Sequence, residues 1–238
     1  MRRNEAIKFV LLRSLGNFLV LFSIYGVLAT FGPLISAEAK YLIIQTRGIQ
    51  IQVASTKEKR LTASSQLPTT QSLSFPQLLS WSKQQILTPI DPLFSILIPK
   101  LGANVRVFPN IDPDNPQAYL PILQQGVAHA KGSVFPGQPG TTYLFAHSAD
   151  NWWDVGRYNA VFYTLNNLSE GDEIDVFFEN RRYRYAVSQK LISDPQDTTL
   201  LTSQHVGPQR LVLQTCWPPG TTLKRLYVIA TPAKKGSS

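Results

Sequence analysis

Apolar and polar residues divide the chain into three stretches of different rhythm. From Ser14 to Ala37 there are 24 residues without a charge, among them Phe18, Leu19, Val20, Leu21, Phe22, Ile24, Val27, Leu28, Phe31, Leu34 and Ile35. A helix of that length covers roughly 36 Å, more than the roughly 30 Å of a hydrocarbon core. From residue 38 to about 75 the isoleucines and Val53 alternate with polar residues and give way to Ser, Thr, Gln and Pro between Thr62 and Pro76, the composition of an extended stalk. Gln77 to Leu87 carries Leu78, Leu79, Trp81, Ile86 and Leu87 and is expected to form a short helix packed on the domain C-terminal to it.

Beyond Pro89 the pattern becomes short apolar or alternating runs separated by Pro, Gly, Asn and Asp. The runs are Phe94 to Ile98, Asn104 to Phe108, Thr141 to Ala146, Glu173 to Phe178, Arg182 to Gln189, Leu211 to Thr215 and Leu226 to Ala230. Their β-branched and aromatic content, and turn signals such as Glu170-Gly171-Asp172, predict an all-β sandwich or barrel. Tyr158 to Leu168, with Phe162, Leu165 and Leu168 three apart, is the one internal helix expected. The chain thus divides into four segments: residues 1–13 as a cytoplasmic N-terminus, 14–37 as a transmembrane anchor, 38–89 as an extracytoplasmic stalk, and 90–238 as a β-domain.

Composition refines this picture in two places. The net charge of +8 includes +3 from the first 37 residues, where Arg2, Arg3, Lys8 and Arg13 face only Glu5. That excess precedes the apolar span, so it orients the N-terminus toward the cytoplasm and the body across the membrane. Ala37-Glu38-Ala39 also fits a signal-cleavage pattern, but the apolar run is longer than a signal core of about 7 to 15 residues, which favours an uncleaved anchor. The remaining +5 has no long basic block, and Arg181, Arg182 and Arg184 alternate with tyrosines as in a strand, so nucleic acid is not an expected partner. No cofactor is implied.

The second place is the single cysteine, Cys216. An internal disulfide and a multi-cysteine metal site are excluded, leaving a small buried side chain, an intermolecular partner or a nucleophile. Cys216 closes one run, His147 closes another, and Arg225 opens a third, so three reactive side chains sit at strand ends, where a rim is held by a rigid body. An imidazole can take the thiol proton and return it to a leaving amine. An arginine can donate to an oxyanion, and never acts as a base. On spacing alone, an inert core cysteine, a capping histidine and a solvated arginine are the commoner readings.

The surrounding sequence narrows the choice. Leu211-Val212-Leu213-Gln214-Thr215-Cys216, followed by Arg225-Leu226-Tyr227-Val228-Ile229-Ala230, resembles the Thr-Leu-x-Thr-Cys to Arg signature of sortases. Gly126-Val127-Ala128-His129, Phe135-Pro136-Gly137-Gln138-Pro139-Gly140, Phe145-Ala146-His147 and Ile98-Pro99-Lys100-Leu101 are similar to further motifs of that family in the same order, so the likeness runs from about Phe94 to Ala233. Ala146 stands where the family has Gly, and Trp217-Pro218-Pro219 after the cysteine alters the wall of the pocket.

The resemblance implies a closed eight-stranded β-barrel and a cysteine transpeptidase that cuts a C-terminal sorting motif of exported proteins. The acyl group would pass through a thioacyl-enzyme to an amine of the cell wall or of a pilin subunit. Cys216 would be the nucleophile, His147 the general acid and base, and Arg225 the oxyanion or substrate-stabilising residue. His129 matches a family histidine that is not the catalytic one and is read as structural, while His205 matches no motif. The stretch from about Ser188 to His205, with Leu191, Ile192, Pro195, Leu200 and Leu201, lies where the family reads its substrate, and Trp152 and Trp153 are cleft candidates; each fits ordinary packing equally well. A Ser-x-Gly-Cys-like run, required of an L,D-transpeptidase, is absent before Cys216. The alternative to a transpeptidase is an inactive sortase-like binding or scaffold module, its pocket blocked by a lid or by Trp217.

Overall fold

A computed structural model of the chain describes residues 3–46, 50–53, 84–148, 162–197, 199–202 and 207–233. Its first element is a helix, α1 (Arg3–Thr46). Ile7, Phe9, Val10, Leu11, Leu12, Phe18 and Leu21 are all exposed on it, so the described stretch Ile7–Val27 buries no face against the rest of the chain. The window Ile7–Val27 is long and apolar enough to cross a membrane, and it overlaps the expected anchor over residues 14–27. The helix does not stop at Ala37. It runs through Glu38, Ala39, Lys40, Tyr41 and Leu42, most of them good helix formers, so the first part of the expected stalk is helical.

A short parallel pair comes next in the chain, β1 (Gln50–Val53) with β2 (Gln84–Leu87). Gln84–Leu87 is therefore a strand, which corrects the short helix expected over 77–87; residues 77–83 lie outside the described residues. Leu87 buries itself against Leu97 and Phe177 on the outside of the β-domain, a contact that an extended segment makes by lying along the sheet.

The β-domain is a closed barrel of eight strands. They are β3 (Phe94–Ile98), β4 (Ala103–Ile111), β5 (Val127–Ala130), β6 (Thr141–Phe145), β7 (Glu173–Phe178), β8 (Arg181–Ser193), β9 (Arg210–Trp217) and β10 (Lys224–Pro232). Neighbours around the barrel run β10-β8-β7-β3-β4-β5-β6-β9, and β9 closes on β10. All seven runs expected as strands fall on strands. A helix without a sequence expectation, α2 (Pro116–Leu123), begins at Asn115, whose side chain accepts from the Gln117 N–H and caps the first turn. A single turn, α3 (Thr199–Thr202), lies between β8 and β9.

The helix expected over Tyr158 to Leu168 is, in its described part, a 3-10 turn at Tyr163–Asn167. Phe162, Leu165 and Leu168 recur every third residue, which is the 3-10 period, and all three are completely buried. Alternation along the strands sorts the rest into two layers. Ile96, Val107, Leu144, Val176, Leu211, Leu213, Leu226 and Val228 fill the barrel, while Ala128, Tyr143, Phe145, Val212 and Tyr227 form a second cluster outside it with Leu123 of α2. On the outer face of β7, Asp175 is fully buried and pairs with Arg182 (Nε to Oδ1 2.7 Å), which also reaches Glu173 at 2.8 Å.

The registers fix which strand ends meet. β6 and β9 run parallel and end together, β10 starts beside them, and β8 ends there with Ser193 opposite Arg225. β7 starts and β3 finishes at the same end, because each is antiparallel to its neighbour in turn. This end also carries Tyr163–Asn167 and a second 3-10 turn, Pro99–Leu101. The loop 131–140 and the Glu179–Asn180 turn lie at the opposite end.

Candidate active site

β9 is the strand from which the site is built. Leu211 and Leu213 point into the barrel and Val212 points out, so the same alternation sends Gln214 and Cys216 to the outer face. Cys216 is directly opposite Arg225 of β10, and Gln214 is opposite Tyr227. Residues facing each other across an antiparallel pair hold their Cβ atoms about 5 Å apart. On the other side of β9, Phe145 of β6 aligns with Gln214, and continuing that parallel register by two residues aligns His147 with Cys216.

Two hydrogen bonds carry the register past the end of β6. The Ala146 N–H donates to the Gln214 carbonyl (3.2 Å), and the Thr215 hydroxyl donates to the Ala146 carbonyl (3.1 Å). Ala146 packs inward and Phe145 outward, which leaves His147 on the outward step, half-buried. Strand geometry thus brings the three residues singled out in the sequence into one row at one end of the barrel.

Cys216 is half-buried, and burial pushes its thiol up; the Arg225 charge opposes this without cancelling it. The resting sulfur is therefore a thiol, and its proton has to be removed at the moment of attack. The Arg225 guanidinium donates to the carbonyls of Thr222 and Lys224 (3.3 Å each), which folds it back on the β9–β10 hairpin.

At a two-residue step along the same strands stand groups to which the motifs assign no role. Gln214 lies two residues before Cys216, Tyr227 two after Arg225, and Tyr143 two before Phe145. The Tyr143 hydroxyl donates to Gln214 Oε1 (2.7 Å), and the Tyr227 hydroxyl donates to the Asp197 carbonyl (3.3 Å). Burial raises both phenols above their ordinary value, Tyr143 far above it, so they are neutral donors. The Asp197 carboxylate is held down at about 2 by the Ser193 hydroxyl and by the Thr199 side chain and N–H, so it stays charged as a cap on α3.

The expected substrate stretch is more ordered than a loop. Ser188 to Ser193 continue β8, and Leu191 stands opposite Tyr227 on the outer face, 38% exposed. Ile192 and Pro195 are exposed, and Leu200 packs against the outer cluster. The Leu201 side chain, His205, Trp152 and Trp153 lie outside the described residues. Trp217 follows the inward parity and packs against the barrel core, so it does not cover Cys216.

His129 is completely buried, stacked on Phe135 at 4.7 Å. Its Nδ1 accepts from the Asn110 N–H (3.3 Å), and its Nε2 lies 2.8 Å from the Ser133 hydroxyl. Every polar atom of the ring is engaged in the fold, at the barrel end away from Cys216.

A family model described as the sortase domain matches residues 96–233. The chain is 28% identical over 121 residues to sortase D of Bacillus subtilis (strain 168), a match that takes in 51% of the chain and 52% of that relative. The chain thus spans about half the length of the curated relative it matches. Among solved structures, sortase C-1 of Actinomyces oris superposes with a TM-score of 0.50 at 24% identity, over 61% of this chain and 76% of that one. Sortase C1 of GBS Pilus Island 1 gives a TM-score of 0.50 at 18% identity, over 61% and 66%. These two likenesses concern the fold. The family match begins inside β3 and runs through β10, so it spans nearly the whole barrel, and on that ground the chain belongs to the sortase family of cysteine transpeptidases.

Proposed function

We propose that the chain is a membrane-anchored transpeptidase that cuts a C-terminal sorting motif of exported proteins and passes the acyl group to an amine. The observation that carries this reading is the register of β6, β9 and β10, which aligns His147, Cys216 and Arg225 across three adjacent strands. The inward packing of Trp217 supports it further, since that side chain packs on the barrel core, on the face away from the outward step of Cys216.

In this mechanism the Cys216 thiol gives its proton to His147 as the sulfur attacks the scissile carbonyl carbon. Arg225 donates to the oxygen as it becomes negative, a stabilisation that appears only in the transition state. The C–N bond then breaks, His147 returns the proton to the leaving amine, and a thioester to Cys216 remains. An incoming amine attacks that thioester, losing its proton to His147. The C–S bond breaks, and the proton goes back to sulfur, restoring the thiol. The acceptor is an amine of the cell wall or a pilin lysine. The apolar helix α1 anchors the chain, and the basic residues before its uncharged run place the N-terminus in the cytoplasm and the barrel outside.

The test is intact-mass spectrometry of the full chain with a library of sorting-type peptides. A covalent acyl adduct on Cys216, absent in Cys216→Ala and strongly reduced in Arg225→Ala, is the expected result and identifies the motif. Peptide cleavage that persists in Cys216→Ala would refute the mechanism, and no adduct across the library would favour the scaffold alternative.

A further inference from the structure

Glu38 is the first charged residue after Arg13, so it marks where the apolar part of α1 has ended. It is also where α1 meets the barrel. The Asn167 side-chain amide donates to the Glu38 carboxylate, 3.5 Å from each oxygen, and α1 adjoins both 3-10 turns, Tyr163–Asn167 and Pro99–Leu101. The helix is unbroken between the membrane window and this contact. At about 1.5 Å per residue, Glu38 stands only about 17 Å beyond Val27, and the headgroup layer fills roughly 5 to 7 Å of that interval. The barrel is thus held close to the bilayer by a continuous helix, with Gly32-Pro33 the one place in that interval where a bend is expected.

The end it presents is set by the registers. Pro99–Leu101 continues from the last residue of β3, and Tyr163–Asn167 lies just before the first residue of β7. Both strand ends belong to the rim that holds Cys216, His147 and Arg225.

Resting on the anchor reading above and going beyond it, we propose that the site-bearing end of the barrel is a membrane-facing surface whose partner is the lipid headgroup layer. The loop 131–140 and the Glu179–Asn180 turn point away from the membrane. With this orientation, a peptide whose continuation is still embedded in the bilayer, or an acceptor amine carried on a lipid, meets Cys216 without leaving the surface.

The orientation is read by energy transfer in the full chain reconstituted into liposomes, with Cys216→Ala removing the native thiol. A donor dye is coupled to a cysteine introduced by Thr222→Cys at the site end or Gln138→Cys at the opposite end, and acceptor dyes sit on the lipid headgroups. β9 has eight residues, so the two ends differ in height by about 20 Å once strand tilt is allowed for. About twofold higher transfer from position 222 is expected on that height difference. Asp194→Cys against Asn180→Cys repeats the comparison on other strands, so one poorly folding variant does not decide the outcome. Equal transfer from both ends, as for a tumbling barrel, or higher transfer from positions 138 and 180, overturns the proposal. Failure of the chain to float with the liposomes would instead refute the anchor.

Discussion

Thr215 tests the alignment of the site more sharply than the reactive residues do, because its buried hydroxyl bonds the neighbouring strand end. Its hydroxyl is buried and donates to the Ala146 carbonyl, tying the residue before His147 to the residue before Cys216. Thr215→Val keeps the shape and removes the donor, leaving the carbonyl of a buried residue without that bond. Such a loss costs about 1 to 3 kcal/mol. For a domain of about 140 residues the unfolding entropy is about 0.3 kcal/mol per degree, so a 2 kcal/mol loss lowers Tm by about 7 °C. Because the freed carbonyl lies next to His147, adduct formation well below Tm should also fall, by about tenfold or more for a displacement of about an ångström. Thr215→Ser retains the hydroxyl and should recover most of both properties. The assay pairs thermal unfolding by circular dichroism with the rate of adduct formation on Cys216. A Thr215→Val protein with wild-type Tm and rate would refute the reasoning. A Thr215→Ser protein as impaired as the valine variant would show that the methyl group is needed alongside the hydroxyl to hold the register.

Three further outcomes are expected. Arg225→Met removes the charge that opposes the effect of burial on Cys216, so iodoacetamide alkylation at a fixed neutral pH should slow, while Arg225→Lys should stay nearer the wild-type rate; an unchanged rate in Arg225→Met would mean the guanidinium does not act on the sulfur. Arg182→Met strands the fully buried Asp175 carboxylate and should cost about 3 to 5 kcal/mol in urea unfolding, whereas a loss under about 1 kcal/mol would show the pair to be dispensable. Burial lowers the His129 pKa below its ordinary 6.5, so the unfolded chain binds the proton more readily. Its contribution to stability is complete above about pH 6.5 and is lost as the pH falls below it, so the urea midpoint of His129→Gln should drop less than that of the wild type between about pH 7.5 and pH 5. Parallel pH curves for the two proteins would exclude His129 as the source.

The strands are legible in the sequence because period-two alternation survives wherever one face enters the barrel and the other meets solvent or a second layer. β5 is not, because Val127–Ala130 is only four residues long and carries His129 inward, a polar residue where the pattern calls for an apolar one. α2 is hidden because Pro116 and Pro121 read as breakers, although Pro116 occupies the first turn, where its missing N–H costs nothing. The three-residue spacing of Phe162, Leu165 and Leu168 is visible, but over so short a run the 3-10 period passes for the α-helical one. At the site, His147, Cys216 and Arg225 stand out as reactive residue types at strand ends. Tyr143, Gln214 and Tyr227 do not, because nothing marks them until the inward and outward parity of β6, β9 and β10 is known. The contact between α1 and the barrel is a long-range pairing of Glu38 with Asn167, and no local pattern announces it.

The placement of the site on the outside of the barrel is a consequence of how the inside is filled. The interior holds Ile96, Ile98, Leu144, Leu213, Leu226, Val228 and Tyr185, with no room for a peptide. The outer face of β6, β9 and β10 is different. Tyr143 and Gln214 bond each other, Tyr227 bonds the Asp197 carbonyl, and Cys216 stands beyond them at the rim. These buried hydroxyls and the amide are neutral and already partnered, so they hold the strands in register without placing a charge beside the sulfur. The nearby cation is Arg225, and it competes with burial for control of the thiol. Because burial wins, the resting sulfur keeps its proton, which slows thiolate chemistry with oxidants, and the chain has no second cysteine to trap it. In the proposed mechanism, the same balance would make activation depend on a bound substrate that brings His147 and Cys216 to bear on one carbonyl. An end-on position against the membrane would therefore restrict the reactive state of the sulfur to encounters at the bilayer surface.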